Sequence, residues 1–243
     1  MKMKIAAKTD IGIVRDNNQD SYAAGELSGG AAFAVVCDGM GGAAEGALAS
    51  SVAVNAIREK LTGSFFAGMS DISTRSLLVS AVENANKAVY ELSLTDEKYE
   101  GMGTTVVASI VKNGFAYIVH AGDSRAYLIH DGEIRQITKD HSVVQNMLDK
   151  GEITPEEALD HPDRHIITRA VGVEDNIKVD FAQEDFGDDI LLLCSDGLTN
   201  FVCDEEIKDI LTESADEEKV SKLVDKANYY GGGDNITVVA LSM

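Results

Sequence analysis

The chain of 243 residues has no tryptophan, two prolines, three cysteines and only 21 basic residues against 41 acidic ones. Each shortage removes a class of explanation. A formal net charge of −20 argues against a protein that grips nucleic acid, because such proteins present a basic face. It argues equally against adhesion to an anionic bilayer. Cys37, Cys194 and Cys203 form no CxxC pair, so neither a disulfide framework nor a thiolate zinc site is indicated. Cys37 and Cys194 end apolar runs, where a buried free thiol is the ordinary expectation. No apolar run approaches the roughly eighteen residues of a membrane span, and MKMKIAAKTD at the N-terminus lacks the apolar stretch of a signal peptide. The expected setting is therefore soluble and cytoplasmic. Disorder is excluded too, since 44% of the residues are hydrophobic and no low-complexity tract, repeat or Pro/Ser-rich linker interrupts the chain.

What is present reads as alternating helices and strands. The apolar run 31–37 ends at Asp-Gly, as a buried strand does. Residues 45–61 place Leu48, Val52, Ala56, Ile57 and Leu61 on one helical face, and Leu77 to Leu92 repeat at three- and four-residue steps behind Asp71. The period then changes. Segments 104–111 and 115–119 flank Asn113-Gly114, while 125–130 and 133–137 flank Asp131-Gly132, two hairpin signals that predict an antiparallel meander. Residues 142–168 read as a surface excursion, with a helix at 142–149 stopping at Gly151 and another opening at Thr154-Pro155-Glu156-Glu157. Strands follow at 177–183 and 189–194, helices near 204–213 and 216–228, and a last strand at 235–241. The expected architecture is one α+β domain over 1–243, a four-layer sandwich of two stacked antiparallel sheets flanked by helices.

Several aspartates share one setting: each adjoins a strand-like run and borders turn-forming residues. Asp38 opens DGMGG, Asp123 opens DSR, Asp196 opens DGL, Asp234 sits in GGGDN and Asp20 closes RDNNQD. One such residue is ordinary turn chemistry, as Asp131 is. Repetition is different, because strands of a sandwich end at a common rim. Carboxylates gathered there are costly unless cations neutralise them. A donor set of carboxylate, backbone carbonyl and water suits Mg²⁺ or Mn²⁺ rather than zinc. The absence of side chain at Gly39 would let its carbonyl approach such an ion.

Six segments in order, RDNNQD, VVCDGMGG, GMGTTVV, HAGDSRAYL, LLLCSDGL and GGGDNITVV, resemble the motif series of the metal-dependent Ser/Thr protein phosphatases, the protein phosphatase 2C family, in its compact bacterial form. The resemblance runs from about residue 9 to residue 241. It implies two to three Mn²⁺ or Mg²⁺ ions: Asp38 bridging two, the Gly39 carbonyl on the second, Asp196 and Asp234 completing the first. Asp20 would lie in or near the water shell of the second ion, and Asp123 would bind a third, shared with Asp196. Arg15 would hold the substrate phosphate, and 142–168 would form a flap beside the site. The implied reaction is direct attack on phosphorus by a hydroxide-like water activated between two ions, on phosphorylated proteins, opposing a bacterial Ser/Thr kinase, in a monomer without nucleic-acid or membrane partners.

Two positions depart from many relatives. Met40 stands where a histidine often follows the metal-binding Asp-Gly, so that general acid is absent and His161 in the flap becomes a candidate contact. Gln19 stands where some relatives have Glu. Other phosphatase chemistries lack their signatures: no arginine closes a loop after Cys37, CDGMGG is not a DxD nucleophile, and GGGDN is not a P-loop. Ser124 in GDSR has no histidine after His165 to partner it. His120 and His130 are assigned no chemistry. A non-catalytic relative and an enzyme acting on a small phosphorylated molecule remain open.

Overall fold

The protein, a computed structural model describing residues 3–215 and 218–243, has eleven strands among those residues. They are β1 (Lys4–Asp10), β2 (Asp20–Glu26), β3 (Ala32–Met40), β4 (Gly103–Thr104), β5 (Val106–Lys112), β6 (Phe115–Ala121), β7 (Arg125–His130), β8 (Glu133–Gln136), β9 (Asp180–Asp185), β10 (Ile190–Cys194) and β11 (Ile236–Ser242). The helices are α1 (Ala43–Ser64), α2 (Asp71–Ser93), α3 (Val143–Asp149), α4 (Pro155–Leu159), α5 (Asp196–Thr199), α6 (Asp204–Glu213) and α7 (Lys219–Tyr229). One sheet runs β1-β11-β10-β7-β8 and the other β2-β3-β5-β6-β9, with β4 paired to β3; all these pairings are antiparallel.

The strands read as unbroken apolar runs because both faces of each sheet are covered. Along β3, Phe33, Val35 and Cys37 pack beneath α1 and α2, whereas Ala32, Ala34 and Val36 face the other sheet. On β10, Leu191 and Leu193 meet that inter-sheet core, while Leu192 and Cys194 pack with Ile207, Leu223 and Val224 of α6 and α7. Side chains of a strand point alternately to the two sides, so each strand supplies two cores. The result is four layers, helix pair, sheet, sheet, helix pair.

Local chemistry accounts for most boundaries. Asn113 and Asp131 adopt φ of 51° and 49°, followed by glycines at 79° and 80°, as two-residue hairpins with positive φ at both positions require. Ser70 caps α2 by accepting the Ser73 N–H, and Thr154 with Glu157 forms a reciprocal capping box behind Pro155. Three readings shift and one strand, β1, goes unread. The two hairpins do not continue one meander: β5–β6 lies in one sheet and β7–β8 in the other, and the chain crosses between them at Gly122–Ser124. The strand expected at 177–183 runs Asp180–Asp185. β1 carries no period-2 signal strong enough to announce it, and it is held as an edge strand by β11. In α1 the innermost positions are Ala49, Ala53, Ile57 and Leu61, with Leu48, Val52 and Ala56 only half-buried. Asp216 and Glu217, where the last helix was expected to begin, lie outside the described residues. No described helix is long and apolar enough to cross a membrane.

Small residues face inward on α1 because the helix approaches β3 closely at two glycines. A Cβ at Gly39 would lie 2.1 Å from the Gly46 carbonyl oxygen, and one at Gly46 would lie 2.9 Å from the Gly39 carbonyl carbon. This contact fixes α1 directly behind Asp38. Gly39→Ala should therefore destabilise the protein by about 2 kcal/mol or more. A urea-unfolding midpoint unchanged from that of the parent would contradict the close approach.

Candidate metal centre

The rim where the two sheets end gathers the aspartates. Asp20 and Asp38 are direct partners across β2 and β3. Asp123 occupies the crossing between the sheets, Asp196 opens α5 after β10, and Asp234 precedes β11. Asp38, Asp123, Asp196 and Asp234 line one cleft of about 1300 Å³ together with Arg15, and Asp20 lies buried behind them.

The carboxylates disturb one another. Burial, reinforced by Asp20, Asp196, Asp123 and Asp234 in that order, drives the Asp38 carboxyl well above the ordinary carboxylate value. Burial likewise pushes Asp20 up to about 7, against hydrogen bonds from Ser195 and Thr237. Asp123 is pushed to about 8 by burial, with Asp196 and Asp140 adding to it. Asp196 is raised by burial and then by Asp234. Two carboxylate oxygens, Asp20 Oδ1 and Asp196 Oδ1, are buried without a hydrogen-bond partner. An unpartnered buried anion is unfavourable by several kcal/mol unless a cation compensates it. These oxygens fit a hard divalent cation.

The supporting hydrogen bonds involve residues the sequence reading did not single out. Ser195 Oγ donates to Asp20 Oδ2 at 2.7 Å and accepts the Thr237 N–H at 2.9 Å. Thr105 Oγ1 accepts the Asp38 N–H at 3.0 Å and lies 2.7 Å from Ser124 Oγ, so one hydroxyl ties β3 to the Asp123 crossing. His141 holds the other side of that crossing: its Nδ1 accepts the Gly122 N–H at 3.1 Å and its main-chain N–H donates to the Gly122 carbonyl at 2.9 Å. Asn235 is the hub of the loop that carries Arg15. Its Nδ2 donates to the carbonyls of Ile11 and Asn17, both at 2.9 Å, and its Oδ1 accepts the Gln19 N–H at 2.8 Å. Only its place beside Asp234 hinted at this, since hydrogen bonds to a distant loop leave no local pattern.

Other expected positions have different surroundings. Arg15 Nη2 donates to Asp234 Oδ2 at 2.8 Å and the side chain is 48% exposed. Gln19 donates to the Gly42 carbonyl. Met40 lines the cleft. From the 142–168 segment the cleft receives Arg164 and His165; His165 is near enough to Asp196 to favour its ionised form. The His161 ring instead accepts the Asp163 N–H at Nδ1, 3.1 Å away.

His120, His141 and Asp180 form a second group whose ligand atoms lie within 4.8 Å of one another. The two rings stack at 4.5 Å with an interplanar angle of 5°. A cation bound to an imidazole lies close to the ring plane, and stacked rings share no such plane. Arg169 Nη1 also occupies the group, 2.9 Å from His141 Nε2 and 3.0 Å from Asp180 Oδ1. This is a guanidinium-centred polar network that braces Gly122, not a chelating site.

The aspartate shifts set a pH dependence. Asp20 and Asp123 hold their protons more tightly folded than unfolded, so without metal their contribution to stability falls as pH rises from about 4 toward 8. Divalent cations compete with those protons and bind better at the upper end. In calorimetry, the rise in Tm on adding Mn²⁺ to chelator-treated protein should be larger by several degrees at about pH 8 than at about pH 5. Equal shifts would contradict the assignment. A separate check concerns the hub: Asn235→Ala should raise KM at least about fivefold with a smaller change in kcat, because it frees the Arg15 loop. An unchanged KM would remove that role.

Comparison with known proteins identifies the family. The family model described as protein phosphatase 2C matches residues 14–226. The chain is 39% identical over 236 residues to the serine/threonine phosphatase stp of Listeria welshimeri, covering 96% of this chain and 92% of that protein. It is 39% identical to the protein phosphatase PhpP of Streptococcus pneumoniae, over 99% of this chain and 98% of the relative. The crystal structure of the Mycobacterium tuberculosis serine/threonine phosphatase PstP/Ppp superposes with a TM-score of 0.91 at 37% identity, covering 100% of this chain and 99% of that one. The catalytic domain of PstP in complex with two manganese ions superposes with a TM-score of 0.87 at 37% identity, over 99% and 97%. The chain belongs to the protein phosphatase 2C family, the metal-dependent serine/threonine protein phosphatases.

Proposed function

We propose that this chain, acting as a monomer in the cytoplasm, hydrolyses phosphoserine and phosphothreonine on the targets of a serine/threonine kinase. The observation that carries the reading is the cluster of five aspartates at one cleft, four of them with raised carboxyls and two with a buried, unpartnered oxygen. Asp38, Asp196, Asp234 and the Gly39 carbonyl would hold two divalent cations, with Asp20 behind them and Asp123 able to take a third. Mn²⁺ or Mg²⁺, when bound, lowers the proton affinity of water and neutralises charge on phosphoryl oxygens.

The chain's own residues do the rest. β2 and β3 set Asp20 opposite Asp38, and Thr105 and His141 fix the crossing that bears Asp123. Arg15 sits at the cleft beside Asp234; its guanidinium keeps donors for phosphate oxygens. Met40 brings no proton donor to the cleft. Residues 142–168 form the flap, anchored at its base by the Val143 N–H to Ile166 carbonyl bond at 2.9 Å and the Ser142–Ile167 bridge. The free thiols, two of them buried, accord with a reducing compartment.

Purified protein should release phosphate from phosphothreonine peptides only with added Mn²⁺ or Mg²⁺. Asp38→Asn and Asp196→Asn should each lower kcat at least about a thousandfold while circular dichroism stays native. Parent protein inactive with metal would point to a non-catalytic relative. Either variant retaining near-normal kcat would misplace the site.

A further inference from the structure

Among the described residues, large apolar side chains are exposed at several places, Ile72, Leu94 and Tyr229 among them, and two of these exposed groups, Leu159 and Ile166, line the phosphatase cleft. On one side Leu159 is 74% exposed and Ile166 49%, and both line the cleft from the 142–168 segment. Ile13 and Val14, each 66% exposed, do not line the cleft themselves but immediately precede Arg15, which does. Their main-chain N–H groups donate to the Gly232 carbonyl at 2.8 and 3.3 Å, which sets them on the loop that leads to Asp234. Phe201 also lines the cleft and lies against Gly233, where a Cβ would come within 2.8 Å of its ring. Exposed apolar groups scattered singly call for no explanation, but groups bordering one polar cleft mark a surface that another chain covers.

The opening is larger than the reaction requires. A cleft of about 1300 Å³ exceeds the roughly 300–1,000 Å³ of small-molecule sites and leaves room for several residues beside the phosphorylated one. The charge of the molecule limits what those residues are. At −20 the protein repels acidic segments over about one Debye length, 8–10 Å at physiological salt. A bilayer is an unsuitable occupant of the same surface for that reason. Of the cleft acids outside the aspartate cluster, Asp140 is already paired with Arg125 through three bonds of 2.7–3.1 Å, whereas Asp160 is exposed.

Building on the phosphatase reading, we infer that the preferred substrate is a phosphoserine or phosphothreonine set among large apolar side chains, which Leu159 and Ile166 contact on one lip and Ile13 and Val14 on the other. Acidic flanks are selected against. The cations neutralise the phosphate, while the lips read its neighbours by burying apolar surface.

The test uses three phosphothreonine peptides of equal length whose neighbouring positions are leucine, glutamine or glutamate. Each is assayed with the Mn²⁺-loaded protein at low salt and at about 1 M, where the screening length is about 3 Å. The leucine peptide should exceed the glutamine peptide in kcat/KM by at least about tenfold, chiefly through KM, and keep that advantage at high salt. The glutamate peptide should be poorest at low salt and approach the glutamine peptide at high salt. Leu159→Ser with Ile166→Ser should cut the leucine-to-glutamine ratio at least about threefold, and Ile13→Ser tests the opposite lip separately. Equal rates on leucine and glutamine peptides overturn the inference while leaving the phosphatase reading intact, as does a leucine preference that no lip variant alters. Failure to hydrolyse any of the three overturns the phosphatase reading itself.

Discussion

Five aspartates brought to one rim repel each other, and the architecture around them exists in spite of that repulsion. Burial alone raises each shifted carboxyl, and the neighbours raise it further. A fold with a weaker frame would relieve the strain by splaying the loops. Here each loop is tied to a rigid element: Asp38 and Asp20 lie on paired strands, Asp196 begins a helix against β11, and Asp123 is held by Thr105 and His141. A Cβ at Gly197 would lie 2.0 Å from the Asn235 carbonyl oxygen, so α5 and β11 meet with nothing between them. Cations convert the assembled repulsion into affinity, since ligands already in place require little ordering when an ion arrives.

The division of labour between layers follows from the same constraint. The inter-sheet core, with Val36, Val107, Leu193 and Val239, makes the two sheets one body, and the site lies where their ends meet. The helix pairs cover the outer faces and let every strand be apolar on both sides. The substrate side is built differently. Leu159, Ile166, Ile13 and Val14 belong to short helices and loops, where a change of side chain alters recognition without disturbing the carboxylate frame.

Much of this was legible in the sequence, for identifiable reasons. Helix α2 and the two hairpins were readable because a 3.6 period and the Asn-Gly and Asp-Gly turns are local signals. The aspartates at strand ends were readable because each adjoins a strand-like run and borders turn-forming residues. The sheet assignment of the hairpins was not, because the Gly122 crossing is a three-dimensional choice that leaves only HAGDSR in the chain. Asn235, Ser195, Thr105 and His141 were invisible for the same reason: their partners are between 19 and 224 residues distant. The inward face of α1 was misjudged toward its larger residues, since close approach at Gly39 and Gly46 favours alanine where hydrophobicity alone favours leucine and valine.

The central claim is that the strand-end aspartates, rather than the His120–His141–Asp180 group, hold the cations. Anomalous diffraction near the manganese absorption edge, from crystals grown with Mn²⁺, tests it most directly. The account predicts at least two peaks at ordinary metal–oxygen distance, about 2.1 Å, from carboxylate oxygens of Asp38, Asp196 and Asp234. No peak there, or a principal peak between His120 and His141, would contradict it.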